Sequence, residues 1–264
     1  MTGPSLTELL AVEAAGDDRF RAGTLAPPRE HPGLYGGQVA AQALLAAART
    51  VPAGRLPHSL HGYFLRRGDA RAPVVFDVER DRDGRSYTAR TVAARQQSGT
   101  GEDRIIFRLA ASFCSPEAGP DRQAQAMPAV VPPHESAPVD TPLVGFELRD
   151  PDPRPERLHP LRSWVRAADV TGPLAAAAAL VYVSDIFTGL ADLVGPRLRT
   201  MASLDHAVWF HRPVAVDEWM LMVHEGTSVS SGRGFYRSTL FDRAGAALAS
   251  CAQEMVVREG PGES

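Results

Sequence analysis

The chain has 264 residues and contains no lysine and no asparagine; all 28 basic side chains are arginine. Without lysine there is no Schiff-base amine and no P-loop lysine to cradle a phosphate. Without asparagine there is no acceptor for N-glycosylation. Cysteine is scarce. Cys114 and Cys251 lie far apart in apolar runs, form no CxxC pair and have no zinc spacing, so they read as inert buried thiols and no metal site is expected. Basic excess is lacking too. A formal net charge of −3 argues against non-specific nucleic-acid binding, although local arginine clusters can still meet a small polyanion. Long apolar runs are also absent: the most apolar stretch, Leu174 to Val183, is too short to span a membrane. Acidic residues arrive early, unlike a secretion signal, and the final Gly262-Glu263-Ser264 is not a peroxisomal address. A cytoplasmic protein is the expectation.

What is present is a repeat. An Ala-rich segment precedes His58-Ser59-Leu60-His61-Gly62-Tyr63-Phe64, then Gly84-Arg85-Ser86-Tyr87, then Leu109-Ala110-Ala111-Ser112-Phe113. A second Ala-rich segment precedes Ser203-Leu204-Asp205-His206-Ala207-Val208-Trp209-Phe210-His211, then Gly232-Arg233-Gly234-Phe235-Tyr236, then Leu248-Ala249-Ser250-Cys251-Ala252-Gln253. The unit is longer than a solenoid repeat, which points to two copies of a small fold in one chain.

Apolar periodicity predicts helices at 5–14, 38–50 and 174–194, the last ending at Val194. Val-, Ile-, Phe- and Tyr-rich runs predict strands at 59–66, 73–81, 85–96 and 104–114, and again at 203–212, 217–228, 233–242 and 246–258. Asp83-Gly84 and Asp242-Arg243-Ala244-Gly245 mark tight turns. The Pro-rich stretch after residue 115 reads as a surface linker. Each half is therefore one helix followed by antiparallel strands, an α+β class without βαβ alternation. The expected division is 1–115, a linker at 116–160, and 161–264.

Four stretches carry a resemblance: Tyr35-Gly36-Gly37-Gln38-Val39; His58 to Asp69; Asp83 to Arg90; and Leu204 to Pro213, which reads LDHAVWFHRP. In these the chain resembles the bacterial acyl-CoA thioesterase II family, over about residues 30 to 257. The resemblance implies a double hotdog fold, two fused repeats each with a long helix packed on an antiparallel sheet. It implies hydrolysis of fatty acyl-CoA without a cofactor, and self-association as a homodimer or larger homo-oligomer. It also implies three catalytic residues, which fall here on Asp185, Ser203 and Gln253. Arg67 departs from the proline usual before Gly68-Asp69.

Taken singly these residues are ordinary. Asp185 reads equally as a helix-surface residue, Ser203 as a strand or cap residue, and Gln253 as a polar residue on an apolar strand. A lone carboxylate in a segment of Ala, Leu, Val and Ile is, however, costly to bury without partners. Together the three can hold one water and move its proton, with backbone N–H groups at a helix start or the Gln amide meeting the oxyanion. No Ser/His/Asp triad spacing or GxSxG elbow is present, and no acyl-enzyme is required. His206 and His211 read as hydrogen-bonded structural residues, and Asp205 ranks below Asp185. Gly36-Gly37 reads as a close approach of helix to sheet. Arg66, Arg67, Arg85 and Arg233 all fit CoA phosphates, and nothing in the sequence chooses among them. The first half has no counterpart of Asp185, which predicts one site per chain. Two alternatives stand: a non-catalytic acyl-CoA-binding protein, and a hotdog dehydratase or hydratase, disfavoured because neither main helix contains histidine.

Overall fold

The computed structural model describes residues 4–23, 33–97, 99, 101–157, 159–194 and 198–259. In chain order the elements are α1 (Leu6–Leu10), β1 (Glu13–Gly16), β2 (Arg19–Ala22), α2 (Gly36–Ala48), β3 (Leu56–Phe64), β4 (Val74–Asp83), β5 (Tyr87–Gln97) and β6 (Asp103–Cys114). A 3₁₀ turn at Pro133–Glu135 follows, then β7 (Ala137–Val139), β8 (Phe146–Asp150), β9 (Arg162–Ala167) and α3 (Pro173–Ser184). The chain closes with β10 (Leu198–Ser203), β11 (Asp205–Phe210), β12 (Met220–Ser230), β13 (Arg233–Phe241) and β14 (Ala247–Glu259).

Among the described residues the strands form one large antiparallel sheet, in the order β1-β2-β4-β5-β6-β3-β11-β14-β13-β12-β9-β8-β7, with β10 also beside β14. The N-terminal and C-terminal groups of strands meet edge to edge at β3 and β11, where Leu60 lies opposite Val208 and Gly62 opposite His206. Each thus covers an edge that would otherwise expose unpaired amides. Gly62 is required at this seam, since a Cβ there would stand 2.3 Å from the Phe107 ring. The strands alternate as a one-sided sheet must: Phe107, Leu109, Ala111 and Phe113 of β6 are buried, while Arg108 and Ala110 are exposed.

Helix α2 lies across β3 to β6 and packs against α3. Every residue from Ala176 to Ser184 is buried, because a helix apolar all round must be enclosed. Each such Leu or Val contributes about 2 kcal/mol of apolar burial. At the end of α2, Arg90 is fully buried and gives its guanidinium to the Thr50 carbonyl (2.9 Å), the Thr50 hydroxyl (2.8 Å) and Asp83 (2.7 Å). A cation there also suits the negative end of the helix dipole.

The structure corrects several expectations. Helix α3 stops at Ser184, well short of Val194. The apolar run continues through the buried Phe187, Leu190, Ala191 and Val194, but as turns, with the Thr188 hydroxyl accepting from the Leu190 amide at 3.1 Å. Such local side-chain bonds compete with helix. The first helix covers only Leu6–Leu10, closed by a Ser5/Glu8 capping box, and a β1–β2 hairpin follows. The Pro-rich stretch expected as a linker supplies β7 and β8 at the sheet edge. Both anticipated tight turns are present: the Gly84 amide bonds the Tyr87 carbonyl, and the Asp242 amide that of Ala246. No helix among the described residues is long and apolar enough to cross a membrane.

Candidate active site

Asp185, Ser203 and Gln253 meet, although they come from the end of α3, the end of β10 and the middle of β14. The Gln253 amide Nε2 donates to Asp185 Oδ1 at 2.8 Å and to Ser203 Oγ at 2.6 Å. Ser203 Oγ in turn donates to Asp185 Oδ1 at 3.3 Å. Gln253 is buried, and Asp185 and Ser203 are half-buried. The buried amide therefore supports two groups nearer to solvent.

Asp185 is not inside the helix. It is the C-cap of α3, with φ −98° and ψ 8°. A carboxylate at a helix C-terminus faces the negative end of the dipole. The Gln253 and Ser203 bonds offset that, and so does the start of α2. A Cβ on Gly36, the first residue of α2, would lie 2.5 Å from Asp185 Oδ2, so the second carboxylate oxygen sits directly against this backbone. A Cβ on Gly37 would lie 2.4 Å from the Tyr182 carbonyl of α3. Glycine at both positions is what lets the start of α2 reach the end of α3. Among the described residues no side chain donates to Asp185 Oδ2. Tyr35, the N-cap of α2, bonds the same Tyr182 carbonyl through its hydroxyl at 2.8 Å. Burial first, and the Asp185 charge second, push its phenol well above the usual range.

A cavity of about 490 Å³ opens beside this cluster, with Gly36, Val39, Phe64, Phe107, Met201 and Ser203 in its walls and Arg66 and Arg67 at its rim. Its inner surface is mostly apolar, and both arginines are exposed. Arg233 instead pairs with Glu254 at 2.9 Å. Arg85 lies in the β4–β5 turn, where its carbonyl accepts from Arg55 at 2.8 Å, and it does not line the cavity.

Asp205 accepts the Glu254 amide at 2.7 Å, a structural bond where the chain passes from β10 to β11. His211 bonds the Ser250 hydroxyl at 2.8 Å, as a structural histidine should. His206 is hydrogen-bonded, as expected, but within the candidate site. It is buried, and its Nδ1 meets Gln253 Oε1 at 2.5 Å while its Nε2 meets Ser184 Oγ at 2.8 Å. It is part of the cluster, which sequence reading missed. The available signal was its alternation with Val208 along a strand, which turns both side chains inward. The C-cap of α2 is Arg49, as Asp185 is the C-cap of α3.

Two family models match the chain. Residues 26–114 match an acyl-CoA thioesterase N-terminal domain, and residues 113–257 an acyl-CoA thioesterase C-terminal domain. The chain is 33% identical to human acyl-coenzyme A thioesterase 8 over 293 residues, covering 97% of this chain and 89% of that one. The acyl-CoA thioesterase II TesB2 of Mycobacterium marinum superposes with a TM-score of 0.81 at 34% identity, over 98% of this chain and 100% of that one. A conserved protein of Alicyclobacillus acidocaldarius with a hot dog fold superposes with a TM-score of 0.80 at 20% identity, over 97% of this chain and 98% of the other, which shows the fold alone.

Proposed function

The chain belongs to the acyl-CoA thioesterase family and is a thioester hydrolase, and from that premise we propose that it hydrolyses fatty acyl-CoA by direct attack of a water held at Asp185 and Ser203. The observation that carries this reading is the convergence of Asp185, Ser203 and Gln253 within 2.6–3.3 Å of one another beside an apolar cavity.

Both Nε2 hydrogens of Gln253 are taken, one by Asp185 Oδ1 and one by Ser203 Oγ. The amide therefore holds the other two groups in place. Asp185 Oδ2 and the remaining lone pair of Ser203 Oγ are left to take the hydrogens of a water. As the water oxygen attacks the thioester carbon, its proton passes to Asp185. The oxyanion faces the first-turn amides of α2 at Gly36 and Gly37, which point along the axis without intrahelical acceptors. Collapse expels the CoA thiolate, which takes the proton back from Asp185. The products are a carboxylic acid and free CoA thiol, with no net change at the protein. The apolar cavity suits the acyl chain, and Arg66 and Arg67 at its rim suit the CoA phosphates through bidentate bonds.

The architecture supports two fused hotdog repeats divided near residues 115 and 160, with α2 and α3 as their helices. It also supports one site per chain, because the C-cap of α2 is Arg49 and that of α3 is Asp185. Tyr63 and Trp209, exposed on neighbouring strands at the seam, favour a homodimer or larger homo-oligomer.

Single-turnover hydrolysis in ¹⁸O-water tests the chemistry. The expected result is one ¹⁸O in the released acid and no acylated protein by intact mass. An acyl adduct on the chain would overturn direct attack.

A further inference from the structure

Gln253 has two chemically opposite ends, and its work depends on which way round they lie. The present arrangement puts Nε2 toward Asp185 and Ser203 and Oε1 toward His206. Rotation by 180° about the last side-chain bond would put a carbonyl oxygen against a carboxylate. While Asp185 is ionised, that repulsion keeps the amide correct. In the proposed reaction, however, Asp185 takes a proton. A protonated carboxyl donates, and it would then accept the amide reversed. Asp185 alone cannot hold Gln253 through the cycle.

We propose that His206 is a positioning residue that locks the Gln253 amide in its working orientation, whatever the protonation of Asp185. This rests on the reading of Asp185, Ser203 and Gln253 as the hydrolytic site. Oε1 can only accept, so the 2.5 Å contact requires a proton on His206 Nδ1. In the neutral ring Nε2 is then an acceptor, served by the Ser184 hydroxyl at 2.8 Å. The Val181 carbonyl, at 3.0 Å, is the alternative acceptor for that hydroxyl. Both His206 and Ser184 are 1% exposed, so water does not compete for these bonds. Ser184 is the last residue of α3 and Asp185 the next. The relay from Ser184 through His206 and Gln253 returns to Asp185, closing a ring that ties α3 to β11 and β14.

Two substitutions separate orientation from mere packing. His206→Phe keeps a planar aromatic ring, slightly larger than imidazole, and removes both nitrogens. His206→Asn places an amide nitrogen where Nδ1 was. The expected result is a loss of about thirtyfold in kcat for His206→Phe with KM within twofold, and recovery of most of that loss in His206→Asn. Unchanged kcat in His206→Phe, or His206→Asn as impaired as His206→Phe, would overturn the inference. Asp185→Asn is measured beside them. If it retains full turnover, the reading of the site falls. If it loses turnover while His206→Phe does not, only the role of His206 falls. Should His206→Phe not fold, the native protein decides by ¹⁵N–¹H correlation of its imidazole nitrogens: a proton on His206 Nδ1 is expected, and an unprotonated Nδ1 contradicts the lock.

Discussion

Gln253 Nε2 lies 2.8 Å from Asp185 Oδ1 although the two residues are 68 positions apart in the chain. The bond joins the C-cap of α3 to the middle of β14, and Ser203 completes the triangle. Side chains that share hydrogens in this way should not act independently.

Gln253→Ala and Ser203→Ala are therefore expected to be non-additive in kcat. Each alone should cost about tenfold to a hundredfold, as loss of one positioned polar group does. The double variant should cost little more than the worse single one, by steady-state thiol release. Simple multiplication of the two losses would mean that the groups act separately.

Gly36→Ala probes the close approach of α2 to the site. Its Cβ would fall 2.5 Å from Asp185 Oδ2 and 2.9 Å from the Phe64 ring, so the carboxylate must move. The expectation is at least a tenfold fall in kcat, together with about 1–3 kcal/mol of lost stability from overpacking. Melting curves and thiol release measure both. Wild-type values for both would show that Oδ2 does not need its place.

Arg90→Met addresses the fold rather than the chemistry. The buried guanidinium satisfies the Thr50, Arg82 and Ala89 carbonyls at the end of α2 and in β4 and β5. Removing it leaves acceptors unpaired and should cost about 3 kcal/mol by urea titration, well away from Asp185. Turnover of the protein that remains folded should stay near wild type.

Acid should destabilise the protein through His224. Burial first, and the His159 charge second, lower its folded-state pKa to about 4 from an unfolded value near 6.5. Between those values the unfolded chain binds a proton that the folded chain refuses. Stability is thus full above pH ~6.5 and lost as the pH falls toward ~4, by on the order of 3 kcal/mol. The Ser238 hydroxyl bonds Nδ1 at 2.6 Å, and Nε2 has no partner among the described residues. Urea midpoints at pH 7 and pH 5 should diverge in the wild type and converge in His224→Phe. Equal divergence in both would assign the effect to another group.

Much of this was legible in the sequence. The Asp83-Gly84 turn, the two Ala-rich helix starts and the strand runs after them follow from local rules of period and turn chemistry. Asp185, Ser203 and Gln253 were named there only through resemblance to a family; nothing in their spacing says that they touch. Other features were not local at all. The β3–β11 seam pairs Leu60 with Val208 across most of the chain, and no short-range pattern encodes it. The end of α3 at Ser184 was hidden because Phe187, Leu190 and Val194 stay apolar after the helix has stopped. The β1–β2 hairpin was obscured because its first strand is exposed throughout and shows no alternation. His206 passed for a structural residue because its partner is decided by which face of β11 it takes.

The most direct test is free-thiol release from a panel of acyl-CoAs by the wild type and by Asp185→Asn, which keeps the side-chain shape and removes the base. The account predicts turnover by the wild type on at least one chain length, and a fall of a hundredfold or more in kcat for the variant, with its melting temperature preserved. A folded Asp185→Asn protein that releases CoA at the wild-type rate would contradict it.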